Sequence, residues 1–194
     1  MRTVMVTAAL AAAFLLAGCA SHGERIEPGM EAVASHDFNP TDLQIIADKS
    51  VEKLLARDVF ENADGKLTLY VAPVKNMTDE HINTPIIQDR ITNKLDESGK
   101  VRLIVAPAEQ VETIAELERQ QSAFVNPATA QKIGKLIGAT YYVTGQLANM
   151  TTQVGGKKGQ FFQFSLKLIT VETGEVKTVM VDIQKLSKRG WFGW

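Results

Sequence analysis

The chain has 194 residues, 45% of them apolar, with 21 basic against 22 acidic side chains. That near-neutral balance excludes a nucleic-acid binder, which needs a strongly basic face. A single cysteine excludes an internal disulfide and a thiolate metal cluster, so an apolar core must hold the fold unaided.

The first predicted element is a leader. Arg2 precedes an apolar run from Val4 to Leu16 that is too short to span a bilayer, and Leu16, Ala17, Gly18 and Cys19 follow it. This ending resembles the lipobox of bacterial lipoproteins. The resemblance implies cleavage before Cys19, a diacylglycerol on its thiol and an N-acyl chain on the new N-terminus; no other cofactor is expected. Three acyl chains hold a protein firmly, because each buried methylene contributes about 0.8 kcal/mol. By the same resemblance, Ala20 and Ser21, in place of a retaining Asp, imply transfer to the outer membrane, on its periplasmic face. Residues 1–18 are therefore expected to be a signal peptide and residues 19–38 a lipidated tether. From Cys19 to Thr41 a flexible chain spans about 25 Å, and about 75 Å when fully extended.

Four of the six prolines sit where a helix opens. Asn39 before Pro40 begins the first, with Asp42 in its first turn and Leu43, Ile46, Ala47, Ser50, Val51, Leu54 and Leu55 on one stripe. Thr84 before Pro85 begins the second, over residues 85–96, which buries Ile87, Ile91 and Leu95 and ends at Ser98 and Gly99. Ala106 before Pro107 begins the third, over residues 107–121, with Val111, Ile114, Ala115 and Leu117. Asn126 before Pro127 begins the fourth, which offers Ala130, Ile133, Leu136 and Ile137 and is closed by Gly138 in the left-handed conformation.

Strands occupy the intervals. Residues 67–72 and 101–106 alternate in character, and the helix between them predicts a parallel pair with a right-handed crossover. Residues 140–150, 160–171 and 176–186 read as an antiparallel meander, with Phe162, Phe164, Leu166 and Leu168 on one face and residues 172–175 as a tight turn. The expected fold is α/β (α+β): a mixed five-stranded sheet flanked by about four helices, forming one domain over residues 39–187. Residues 188–194 form a basic and aromatic tail. Its aromatics either rest on the domain or meet a membrane or a partner.

The chain offers little for catalysis. His22 and His36 fall in the tether, and His81 has no second histidine at metal-ligand spacing. Gly155, Gly156, Lys157, Lys158 and Gly159 lie between two strands, without the spacing or the Ser/Thr of a phosphate loop, and read as a hairpin loop. Gly134 reads as a helix-packing residue. No enzyme and no bound metal is expected.

The order of lipobox, tether, amphipathic helix, strand, helix, strand, two helices and three antiparallel strands resembles the LpoB-type outer-membrane lipoproteins. The similarity runs over residues 38–186. Its most suggestive stretches are residues 74–78, 98–105 and 133–143, the last with Gly138, Ala139, Tyr141 and Tyr142, and the hairpin at 171–175. The resemblance extends to the wider group of TolB N-terminal domains and curli-secretion lipoproteins. It implies a monomer that docks on a small non-catalytic domain of a class A penicillin-binding protein and raises its output. The alternative it leaves is a structural or secretion-associated lipoprotein acting by oligomerisation. The tether departs from the family pattern, being short and holding only Pro28. Two stretches are candidate partner-binding residues. Gln120, Gln121 and Asn126 flank the apolar pair of Phe124 and Val125 in a polar connection, where Phe124 could equally staple the fourth helix. Asn76, Thr78 and Asp79 follow a parallel strand, where they could equally cap and turn the chain.

Overall fold

A computed structural model describes residues 38–120, 126–154 and 157–186. The first helix, α1 (Pro40–Leu55), starts as its sequence predicts. The Asn39 side chain accepts from the Asp42 N–H at 3.0 Å, Asp42 accepts from the Asn39 N–H at 2.9 Å, and Pro40 fills the first turn. Its stripe of Ile46, Ala47, Ser50, Val51 and Leu54 is buried. After the single turn α2 (Asp58–Glu61) come β1 (Leu67–Val71) and β2 (Lys75–Met77). The chain continues through α3 (Thr84–Glu97), β3 (Val101–Leu103), α4 (Val111–Arg119) and α5 (Pro127–Ile137), then β4 (Tyr141–Val154), β5 (Lys157–Thr170) and β6 (Val176–Leu186).

The sheet is mixed and has six strands, in the order β3-β1-β4-β5-β6, with β2 also paired to β4. β1 runs parallel to β3, Leu67 opposite Val101, and α3 supplies the expected crossover. On its other side β1 runs parallel to β4, and β4, β5 and β6 form the antiparallel meander. The strand beyond the expected five is β2. Five-residue β1 pairs only with the beginning of fourteen-residue β4. The chain passes Pro73 and rejoins the open edge of β4 with Lys75 opposite Gln146 and Met77 opposite Ala148. Three residues carry too little alternation to announce a strand, and partner geometry decides them.

Three local readings change. The third helix is broken: residues 108–110 form a 3-10 turn before α4, Val111 is exposed and only Ile114 is buried. Leu136 faces solvent, because Ala130, Ile133, Gly134 and Ile137 complete the inward stripe at helical spacing. The loop read at residues 155–159 is shorter, since the ladder continues to Lys157 opposite Val154 and places residues 157–159 in β5.

Helices lie on both faces of the sheet. On one, α1 and α3 cover the main core, which includes Leu69, Val143, Leu147, Phe162, Phe164, Leu166 and Leu168. On the other, α4 and α5 cover a smaller core of Ala72, Ile114, Ala130, Ile133, Tyr142, Ile169 and Val171. Gly134 permits that second contact. A Cβ there would stand 2.2 Å from Val171 Cγ2, so the helix can approach the sheet only without one. Gly138 ends α5 at φ +75°, as its position predicts. A buried ion pair between Asp42 and Lys185 ties the start of α1 to the end of β6.

Candidate partner-binding surface

The two candidate stretches lie on either side of β2, one in the loop that follows it and the other at the end of α4. In the loop, Asn76 lies within β2 rather than beyond it, and the residues after it form a closed set of hydrogen bonds. Asn76 Oδ1 accepts from the Thr78 N–H at 3.0 Å and from the Thr78 hydroxyl at 2.7 Å, while its Nδ2 donates to the Glu80 carbonyl at 2.8 Å. Asp79 engages Asn149 on β4 twice. Its N–H donates to Asn149 Oδ1 at 3.3 Å, and Asn149 Nδ2 donates to its carboxylate. Glu80 Oε2 accepts from the Phe38 N–H at 3.0 Å, while Glu80 Oε1 is buried without a hydrogen-bond partner.

These bonds give the loop two properties. Asn76, Thr78 and Asp79 are brought together and held rigid, which is the condition for presenting a surface to a partner at low entropic cost. Asn76 and Thr78 do so by turning the chain on itself, as the cap-and-turn reading expects. The loop also fixes the point where the tether joins the domain. Phe38 packs against Phe162 in a tilted pair with ring centroids 5.4 Å apart, and its N–H donates to Glu80. Phe38, Glu80, His81, Ile86 and Arg90 line a groove of about 540 Å³ beside that point.

In the second stretch, Gln120 and Asn126 are described, while Gln121 and Phe124 lie outside the described residues. Gln120 Nε2 donates to Glu116 at 2.9 Å on its own helix. Asn126 caps α5, accepting from the Ala128 N–H at 2.9 Å. Among the described residues, neither hydrogen-bonds to the 76–80 loop. The connection between the two stretches is a cluster the sequence reading missed. Glu118, two residues before Gln120, accepts from the hydroxyls of Tyr70 at 3.4 Å and Tyr142 at 3.3 Å. Lys75, next to Asn76, feels the same carboxylate.

Burial dominates the electrostatics of this cluster. It raises the Glu118 carboxyl above its ordinary value, and the two tyrosine bonds and Lys75 offset this only in part. Burial, then the charge and the bond of Glu118, push the Tyr70 hydroxyl well up. Burial lowers Lys75, and Glu118 opposes the shift. Around the cluster lies a crevice of about 290 Å³, walled by Ala72, Pro73, Ala115 and Thr144. The arrangement holds one carboxyl group between two tyrosine hydroxyls in a mostly apolar setting. Glu118 had a faint sequence signal, a single acidic residue on the inward side of α4, but the tyrosines that receive it stand 48 and 24 residues away.

Cys19, the candidate lipid attachment point, and the tail residues Trp191 and Trp194 lie outside the described residues. Among the described residues no three His, Cys, Asp or Glu side chains gather as a metal site. Among those same residues, no helix is long and apolar enough to cross a membrane.

Comparison with known proteins bears on the family and the fold. A family model described as the peptidoglycan-synthase activator LpoB matches residues 42–177. No curated protein matches the sequence. Among solved structures, the LpoB C-terminal domain from Salmonella enterica superposes with a TM-score of 0.53 at 20% identity, over 74% of this chain and 99% of that one. The same domain from Escherichia coli gives 0.51 at 19%, again over 74% and 99%. The solution structure of E. coli LpoB gives 0.51 at 21%, over 88% of this chain and 78% of that one. At these identities the likeness is one of fold.

Proposed function

Because the chain belongs to the LpoB family of peptidoglycan-synthase activators, we propose that it is a non-catalytic lipoprotein that binds and activates a class A penicillin-binding protein. The observation that carries this reading is the extent of the family match. Residues 42–177 run from the first turn of α1 into β6, which is nearly the whole folded unit rather than one motif within it. In this reading Cys19 is acylated, the protein hangs from the periplasmic face of the outer membrane, and the domain acts as a monomer. Activation follows from preferential binding to the active conformation of the synthase, since a ligand shifts an equilibrium only by its differential affinity.

The partner-binding surface in this proposal is built around β2: the loop carrying Asn76, Thr78 and Asp79 on one side, and the end of α4 at Gln120 on the other, with Gln121, Phe124 and Asn126 continuing it. Rigidity supports the choice, because the loop is bonded to itself, to β4 and to the tether junction.

The test is reconstitution of the mature chain with purified class A penicillin-binding proteins. Binding and a faster rate of glycan polymerisation are expected, both reduced by Asp79→Lys. If no class A synthase binds and none changes rate, the reading fails. Cys19→Ala is expected to abolish palmitate labelling and membrane fractionation. A ring-sized assembly in a mass measurement would favour the oligomerising alternative instead.

A further inference from the structure

Helices α4 and α5 cover only part of their face of the sheet. Beyond them the outward residues of three neighbouring strands lie side by side by register. Met150 pairs with Phe161 and Phe161 with Gln184; Ala148 pairs with Gln163 and Gln163 with Asp182; Met77 lies beside Ala148, and Ser165 beside Met180. Alternation puts the intervening Leu147, Phe162, Phe164 and Val181 into the main core on the opposite face. The surface that remains is rich in methionine and open. Met150 is 62% exposed, Met180 50% and Met77 43%. Among the paired residues of this patch the one acidic side chain is Asp182, which accepts from Gln163 Nε2 at 3.1 Å. Methionine surfaces are adaptable and make favourable sulfur–aromatic contacts.

We propose that this face is the seat of the chain's own C-terminal tail, residues 187–194. Three observations select that occupant. The first is position: β6 forms the border of the patch and ends at Leu186, opposite Gly159, so the tail begins at the rim of the surface. The second is reach. Eight residues extend about 26 Å, whereas Met180 is six residues back along β6, about 20 Å away. A tail that turns back directly after Leu186 brings Trp191, Phe192 and Trp194 across Phe161, Met150 and Met180. The third is charge: Lys188 and Arg189 are the basic residues of the tail, and Asp182 is the acidic residue of the patch. The docked tail completes the layer that α4 and α5 leave half built, and it shields the methionines from solvent. This inference goes beyond the proposed activator role and does not depend on it.

The test uses the fact that the chain's only two tryptophans, Trp191 and Trp194, are both in the tail. The chain from Cys19 to Trp194, made without its leader and therefore without acyl groups, is studied in detergent-free buffer beside a synthetic 187–194 peptide. Docking predicts tryptophan emission to the blue of the peptide and several-fold weaker quenching by acrylamide. Met150→Glu and Met180→Glu, at exposed positions, are expected to move both readings toward the peptide while the far-UV circular dichroism of the domain stays that of the wild type. Asp182→Lys is expected to do the same more weakly. The proposal is overturned if wild-type emission matches that of the peptide, or if the Glu substitutions leave a blue-shifted emission unchanged. It is equally overturned if the blue shift appears only with added phosphatidylglycerol vesicles, which would make the tail a membrane contact. A shift that grows with protein concentration would assign the face to a second copy and overturn it as well.

Discussion

At the scale of single residues, small and polar side chains set the approach distances on which the rest of the molecule depends. Gly134 lets α5 lie against Val171, and Gly145 does the same within β4, where a Cβ would stand 2.8 Å from Phe164 Cζ. Gly134→Ala is expected to destabilise the domain by about 1–2 kcal/mol. Overpacking costs about 1–3 kcal/mol, and removing a glycine from a helix returns only about 0.5–1 kcal/mol. A urea titration checks this, and a second change, Val171→Ala, should recover most of the loss by making room for the methyl group. Sequence identified Gly134 as a packing residue, but its neighbour is 37 positions away and no local pattern points to it. The same holds at the candidate surface. Asn76, Thr78 and Asp79 are legible as a polar turn, while Asn149, which secures Asp79, lies 70 positions away on β4.

At the scale of elements, the helices formed where proline and capping residues predicted and where one stripe was apolar. The exception is the segment from Pro107, which opens as a 3-10 turn and leaves Val111 exposed. The contact between α1 and α3 adds to the apolar packing a bidentate pair, with Arg90 donating to Asp48 at 2.9 and 2.8 Å. The Arg90 bond holds the Asp48 carboxyl below its ordinary range, against the opposing effect of burial. Both side chains are about a third or more exposed, so solvent screening limits the pair to about 0.5 kcal/mol. A carboxyl with a depressed folded pKa contributes fully above its unfolded pKa of about 3.9. The contribution is lost as pH falls through the lower folded value. Arg90→Ala should therefore lower the melting temperature slightly at pH 7, and the difference from wild type should shrink as the pH falls below the ordinary carboxylate range, as paired thermal melts would show.

At the scale of the whole molecule, the sheet divides the protein unequally. The α1 and α3 face buries a larger apolar cluster than the α4 and α5 face, and α4 contributes only Ile114 as a buried side chain. Local stability follows buried apolar contact, so hydrogen exchange should release the amides of α4 before those of α1 and α3, measurably at pH 7 and 25 °C. Equal protection across all three helices would show that the two layers open as one unit. The proposed partner surface around β2 and the seat proposed for the tail both belong to the face that carries this smaller second layer. The amino-acid sequence by itself determined three of the four proline-led helix starts, the alternating strands and the parallel β1–β3 pair, since these rest on periodicity and capping within a few residues; the likeness to a lipoprotein family rested on the residues around Cys19 and on the order of the elements. Only the tertiary structure decided that β2 is a strand, that Glu118 meets two tyrosines, and that α4 and α5 leave part of one face of β4, β5 and β6 uncovered. Each of these depends on which distant segment arrives alongside, and that is set by the packing of the whole chain.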